Sequence, residues 1–138
     1  PLITATALSL NVPDVEASAQ FAEKHLGFDR EMAAEGFVSL RRADAGFNLI
    51  YLGLDLPTFK PAALAGHRAD GLLVIFVVDD IDRAYADLLA DGVSMTTPIE
   101  TEPWGERFFQ MTDPNGVVYQ LVQWIEQPEV DASGRLVD

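Results

Sequence analysis

The chain has 138 residues, no cysteine and a formal charge of −13, from 22 acidic and 9 basic side chains. A chain of this length and ordinary apolar content forms one soluble domain, and without cysteine it has no disulfide, thiolate zinc site or thiol nucleophile. The negative charge argues against nucleic acid or an anionic membrane surface as a partner, and it favours a cationic or neutral one.

The first half of the chain predicts the element order βαβββ. Residues 2–12 alternate between apolar and polar side chains, which is typical of a strand. Pro13 ends this strand, and Asp14 is placed to cap a helix whose apolar residues recur at helical spacing until Gly27 stops it. Three further strands are predicted at 28–33, 37–41 and 47–52.

The same order returns in the second half. Residues 72–78 are rich in branched apolar side chains and predict a strand, and Asp79 and Asp80 begin a helix that Gly92 ends. Further strands are predicted at 93–96, 107–112 and 117–124. The two halves match at an offset of 66 around the first strand and helix and at 70 around the last turn, which indicates an internal repeat.

The segments outside the two repeats have a different composition. Residues 54–70, with Pro57 and Pro61, predict a linker or a lid. Residues 127–138 are polar without a period and predict a loose tail. We therefore expect one domain over 1–126, built from a first module at 2–53 and a second module at 71–126, followed by that tail.

A tandem βαβββ repeat of this length resembles the vicinal oxygen chelate superfamily, which includes glyoxalase I, extradiol dioxygenases and bleomycin-resistance proteins. The similarity covers about residues 3–125. Its most specific parts are the first helix with its end, at 15–21 and 26–28, and the closing hairpin, from Pro103-Trp104-Gly105 through Phe108-Phe109 to Asp113-Pro114-Asn115-Gly116. This hairpin is most similar to the bleomycin-resistance branch. The resemblance implies an α+β fold in which tandem modules form curved half-barrel sheets, paired across a homodimer.

The resemblance also implies where metal ligands would lie. The superfamily's metal enzymes carry His, Glu or Gln at four inner-face positions, which in this sequence are Ala7, Ile50, Leu73 and Gln120. Three of the four have no donor atom, and a divalent ion requires several nitrogen or oxygen donors. His25 on the first helix and His67 in the linker are expected to be solvated or hydrogen-bonded. We therefore expect neither a metal nor another cofactor, and no catalytic residue is assigned.

Strand alternation predicts which side chains share the inner face with those positions. In the first module the predicted ligand-binding residues are Phe37, Ser39, Arg41, Asn48 and Ile50. In the second module they are Arg107, Phe109, Met111 and Gln120, and Trp104 in the loop before this strand is added as a ring that could stack on a ligand. Such a mixture suits a largely apolar ligand that is held by stacking and a few hydrogen bonds.

These residues also have plainer interpretations. Phe37, Phe109 and Met111 could form the core of the sheets. Arg41 and Arg107 could be solvated charges at strand ends. Trp104 lies in a loop with proline and glycine, where interface packing and ligand stacking both explain an exposed ring. These alternatives stay open at this point.

No segment suggests a membrane span or an export signal. The longest apolar run, residues 71–78, is far shorter than the about 20 residues that a spanning helix requires. The chain opens directly into an alternating strand pattern, without the basic region and the small-residue cleavage site of a signal peptide. We therefore expect a cytoplasmic protein.

Three functions are compatible with these patterns. The first is a metal-free, dimeric resistance protein that sequesters a cationic or aromatic DNA-targeting antibiotic in a cleft between subunits. The second is a superfamily enzyme, such as a lyase, isomerase or dioxygenase relative, with a non-standard site. The third is a non-catalytic accessory module. The missing donors argue against the enzyme and the aromatic inner face against the accessory module, so the first is our expectation, with a small-molecule ligand and a second copy of the chain as partners.

Overall fold

Each half of the sequence folds into one helix and one four-stranded mixed sheet. The structure is a computed structural model, and it describes residues 1–137. The first of two compact units comprises Pro1–Leu72 and Asp113–Val117, and the second comprises Leu73–Thr112 and the chain from Val118 onward. The predicted α+β class with two βαβββ repeats is confirmed.

The first unit has the strand order β1-β4-β3-β2, with β1 parallel to β4 and the other pairs antiparallel. Its elements are β1 Ala7–Val12, α1 Val15–Leu26, β2 Asp29–Ala34, β3 Phe37–Arg41 and β4 Asn48–Gly53. The strand predicted from residue 2 begins only at Ala7, because its partner β4 begins at Asn48, whose backbone N–H bonds to the carbonyl of Thr6. Asp14 caps α1 and Gly27 ends it in the left-handed conformation, as predicted.

The second unit repeats this plan with the order β5-β8-β7-β6. Its elements are β5 Leu73–Val77, α2 Ile81–Ala90, β6 Met95–Thr101, β7 Glu106–Thr112 and β8 Val118–Trp124. β6 is longer than the predicted strand at 93–96, because β7 offers it partners from Arg107 to Met111. The Gln123 amide secures the start of α2: its oxygen accepts from the backbone of Ile81 and its nitrogen donates to the carbonyl of Asp79.

The core of the first unit lies between α1 and one face of its sheet. α1 packs on β3 and β4. It presents Ala19 and Ala22, both fully buried, so that its backbone comes close to the strands. The strands contribute their largest buried side chains to this interface: Leu10, Leu40, Leu49 and Tyr51. One face of the sheet is therefore used by the helix, and the other is left to form a site.

A cluster of buried polar groups joins the turn at residues 113–117 to the start of α1. One carboxylate oxygen of Asp113 accepts from the Ser18 hydroxyl at 2.6 Å, and the other accepts from the backbone N–H groups of Asn115 and Val117. The Asn115 amide donates to Ser18 and to the backbone carbonyl of Asp14. Asp113 thus has its predicted role in the turn, and it also binds α1. We call this set the Asp113 cluster.

The C-terminal segment, predicted as a loose tail, contains one turn and one isolated bridge. The carboxylate of Asp131 accepts from the backbone of Ser133 and Arg135 and makes a tight turn, and an isolated bridge joins Val130 to Leu136. Asp138, the last residue of the predicted tail, lies outside the described residues. Within residues 1–137, neither α-helix is long and apolar enough to cross a membrane.

We predict that the substitution Asp113→Ala lowers the free energy of unfolding by about 2–3 kcal/mol, because it leaves buried donors without an acceptor. The matched control is Asp44→Ala in the corresponding turn of the first repeat, where the carboxylate is exposed and pairs only with Arg42. Urea unfolding of both variants measures the difference. Equal urea midpoints for the two variants would contradict the role given to the cluster.

Candidate functional site

The face of the first sheet opposite α1 is available for a ligand, and we call it the open face. The strand register pairs Phe37 with Leu52, Ser39 with Ile50, and Ser9 in turn with Ile50. Paired residues on neighbouring strands point to the same side. The structure therefore brings together the side chains that alternation had grouped in the first module, at the sheet face that carries no helix.

Two of the predicted ligand-binding residues on this face are engaged by a residue that the sequence analysis missed. Glu31 of β2 accepts hydrogen bonds from the Asn48 amide at 2.9 Å and from the Ser39 hydroxyl at 3.4 Å. Ser39 is also buried. Arg41 lies exposed at the end of β3. The polar side chains of this end of the face thus bind each other, and Glu31 escaped notice because its strand has no clear apolar alternation.

In the second unit, the predicted face of β7 is wrong. Gln120 pairs with Gln110, whereas Phe109 and Met111 pair with Leu121 and Tyr119 and lie on the other side of the sheet. The prediction assumed a four-residue turn at 113–116, but Val117 also belongs to the loop, and one additional residue reverses every side chain of the strand.

The β7 residues whose sheet face was predicted wrongly interact with α2. The ring of Phe109, which is fully buried, meets the ring of Tyr85 edge-on with centroids 5.1 Å apart. Arg107 pairs with Asp82 at 2.7 Å, and this hydrogen-bonded guanidinium lowers the pKa of the Asp82 carboxyl. Phe109, Met111 and Arg107 are therefore parts of the helix-facing side of this sheet, away from the face of Gln120.

Trp104 lies on the turn between β6 and β7, and its side chain is 50% exposed. Gly105 next to it has φ 93°, and a Cβ there would lie 2.8 Å from the carbonyl oxygen of Glu126, so this turn requires glycine. The exposed ring fits both interface packing and ligand stacking.

The four positions that the resemblance marks for metal ligands do not suit a metal ion. Ala7, Ile50 and Leu73 have no donor atoms. The fourth, Gln120, is buried, and its amide oxygen accepts from Gln110 at 2.8 Å. Across residues 1–137 no group of three or more His, Cys, Asp or Glu side chains is arranged to hold a cation. The donor set for a divalent ion is therefore missing.

Residues 54–72, which we call the covering loop, are built onto the open face. Inside the loop, the backbone N–H of Asp55 donates to the carbonyl of Ala65 at 2.8 Å. Asn11 of β1 fixes the loop to the sheet, since its amide donates to the carbonyl of His67 and its own carbonyl accepts from Ala69. The segment that the sequence predicts as a linker or a lid is therefore a loop that hydrogen bonds hold over the sheet.

The covering loop and the open face line a cavity of about 740 Å³. Its apolar lining consists of Leu8, Leu52, Leu56, Phe59, Leu64 and Leu72, together with Ala69. Its polar lining consists of Ser9, Asn11, Thr58, Lys60, His67, Arg68 and Asp70. None of the ten predicted ligand-binding residues is among them. Only the strand residues of this lining were within reach of sequence reasoning, because strand alternation can group side chains on one face of a sheet.

Comparison with known proteins agrees with this architecture. The model of the Glyoxalase/Bleomycin resistance protein/Dioxygenase superfamily matches residues 4–121. The chain belongs to this superfamily. No curated protein sequence matches it significantly.

Three solved structures illustrate the similarity. A glyoxalase/bleomycin resistance protein/dioxygenase from Nocardioides has a TM-score of 0.77 at 24% identity, over 94% of this chain and 88% of that one. TioX from Micromonospora sp. has a TM-score of 0.73 at 18% identity, over 88% and 99%. Lactoylglutathione lyase from Agrobacterium tumefaciens has a TM-score of 0.71 at 15% identity, over 89% and 95%. At these identities the likeness shows the fold alone.

We predict that Phe37 and Phe109, the two phenylalanines among the ten predicted ligand-binding residues, contribute differently to the free energy of unfolding. Phe109→Ala should lower the free energy of unfolding by about 3–5 kcal/mol, the usual cost of emptying a buried aromatic site. Phe37→Ala, which removes a half-exposed ring from the open face, should cost about 1 kcal/mol. Urea unfolding distinguishes them. A larger loss from Phe37→Ala than from Phe109→Ala would contradict the placement of Phe109 in the core against α2.

Proposed function

We propose that the protein binds and sequesters a small organic molecule in the cavity under the covering loop, without transforming it. The observation that carries this proposal is the cavity itself, which has the size and the mainly apolar lining of a site for a drug-sized ligand. Within the superfamily, this is the function of a metal-free resistance protein of the bleomycin-resistance type, the branch that the closing hairpin resembles. Its ligand is an antibiotic with an aromatic or bulky apolar body.

The polar groups of the cavity support binding in preference to catalysis. Ser9, His67 and Asp70 line it together, which is the composition of a hydrolytic triad. No hydrogen bond joins the three side chains among the described residues, and the carboxylate of Asp70 instead accepts from the neighbouring backbone N–H of Gly71. A nucleophile requires a base within hydrogen-bond reach. The three side chains therefore do not form a hydrolytic triad, and the donors for a catalytic metal ion are missing as well.

The protein is also proposed to act as a homodimer. β5 is an edge strand, and its outward row of Leu73, Ile75 and Val77 is 46–68% exposed. A row of branched apolar side chains on an unpaired edge is a surface that natural sheets cover. A second copy of the chain is the occupant that we propose.

The cavity is tested with the neutral fluorescent probe N-phenyl-α-naphthylamine. We expect one probe per chain with micromolar affinity, and at least a tenfold loss of affinity in Ser9→Trp, whose indole occupies the β1 side of the cavity, where Ser9 lines it. Ser94→Trp, at an exposed site on the other unit, is the matched control and should bind as the parent does. EDTA should change neither the affinity nor the melting temperature. Unchanged binding by Ser9→Trp would refute the site.

The dimer is tested by sedimentation equilibrium at micromolar concentration. We expect the parent to be dimeric and Ile75→Glu to shift toward monomer, because a buried carboxylate without a partner disfavours association. Leu89→Glu is the matched control, since Leu89 is 47% exposed on α2 and Ile75 is 46% exposed on β5. A monomeric parent, or equal effects of the two substitutions, would reject this interface.

A further inference from the structure

We propose that the ligand of this cavity is an amphipathic organic anion, whose acidic group is held by Arg68 and Lys60 while its apolar body lies on the leucines and Phe59. This inference rests on the proposed binding function and specifies its ligand. It also reverses the expectation of a cationic ligand that the net charge of the chain suggested.

The charge of the cavity differs from that of the chain. The whole sequence has 22 acidic against 9 basic side chains, yet the cavity lining holds the two cations Lys60 and Arg68 against the single carboxylate of Asp70. The lining therefore has a local charge of the opposite sign to the chain as a whole, which favours an anionic group on a bound ligand.

The two cations are not used by the protein's own carboxylates. The described ion pairs involve four other arginines, namely Arg30, Arg42, Arg83 and Arg107. Within residues 1–137 neither Lys60 nor Arg68 has an acidic partner within 4.0 Å. Their charges are thus available to a bound anion.

Arg68 is held in position before any ligand arrives. Its guanidinium donates through Nη2 to the backbone carbonyl of Asn115 at 2.5 Å. Asn115 is itself buried and fixed by the Asp113 cluster. One corner of the planar group is therefore anchored, and its other N–H donors keep the fork geometry that binds a carboxylate with two hydrogen bonds. A guanidinium positioned in this way loses little conformational entropy when it binds.

The charges that line the cavity act on a bound ligand at short range, whereas the net charge of the chain acts on an approaching ligand at long range. At physiological salt, charges further apart than about 8 Å are largely screened. A ligand inside the cavity therefore interacts mainly with the side chains that line it, and the remote carboxylates affect chiefly the rate at which it arrives. The apolar lining, with Leu52, Leu56, Phe59 and Leu64, requires an apolar body as well. Both requirements together define the amphipathic anion.

The test uses three naphthalene compounds of nearly equal shape that compete with N-phenyl-α-naphthylamine. These are the anion α-naphthaleneacetate, the neutral α-naphthaleneacetamide and the cation α-naphthylmethylammonium. We expect the acetate to bind about tenfold more tightly than the amide, as one charge-assisted hydrogen bond provides, and the cation to bind most weakly. The preference for the acetate should decrease at high salt.

Substitutions then assign the preference to its residues. Arg68→Gln and Lys60→Gln should each remove most of the tenfold preference while the neutral probe binds as before, which shows that the cavity is intact. Arg135→Gln and Lys24→Gln change the net charge equally, outside the cavity lining, and should keep the preference. Arg68→Lys should restore part of it, since the charge returns without the fork.

The outcomes separate the two proposals. If the neutral probe does not bind, both the binding function and the anion inference fail. If it binds but the acetate is no tighter than the amide, or if Arg68→Gln keeps the preference, the anion inference is overturned and the binding function stands. If the cation binds most tightly, the anion inference is also overturned, and the ligand is cationic, as the net charge of the chain suggested.

Discussion

A carboxylate buried in a protein must be matched by hydrogen-bond donors, and in this chain Asp113 imposes that requirement. The Ser18 hydroxyl and two backbone N–H groups meet it, which fixes the conformation of the 113–117 loop. Asn115 in this loop then holds the start of α1 through its side chain and Arg68 of the covering loop through its backbone carbonyl. The helix start, the loop and the position of one cavity cation thus depend on a single buried acid.

The cavity follows from what the first sheet leaves uncovered. α1 occupies one face, and Asn11 attaches the covering loop to the other by using both its amide and its backbone carbonyl. A connection with two prolines and no apolar period therefore becomes a wall of the cavity. Because the loop brings its own basic side chains, the site acquires a local charge opposite to that of the protein as a whole.

The superfamily's fold is kept here while the residues for metal chemistry are absent. Three of the four positions are aliphatic, and the amide of the fourth is bound to Gln110. A site that offers apolar surface and a few charges can discriminate among ligands by shape and charge, but it has no strong electrophile with which to activate them. Membership of the superfamily therefore does not by itself imply its metal chemistry, which agrees with the principle that function lies in the site and not in the fold.

The sequence by itself determined the two βαβββ repeats, the caps of α1 at Asp14 and Gly27, and the absence of donors at Ala7, Ile50 and Leu73, because these depend on local periodicity, capping chemistry and residue type. It misjudged the face of Phe109, since the number of residues in the 113–117 loop sets the register and a shift of one reverses every side chain. Only the tertiary structure revealed the cavity. Its lining joins β1 and β4 to a loop without a period. The hydrogen bonds that hold this loop, from the Asn11 amide to His67 and from Arg68 to the carbonyl of Asn115, span 56 and 47 residues of sequence. No local pattern encodes contacts at such distances along the chain.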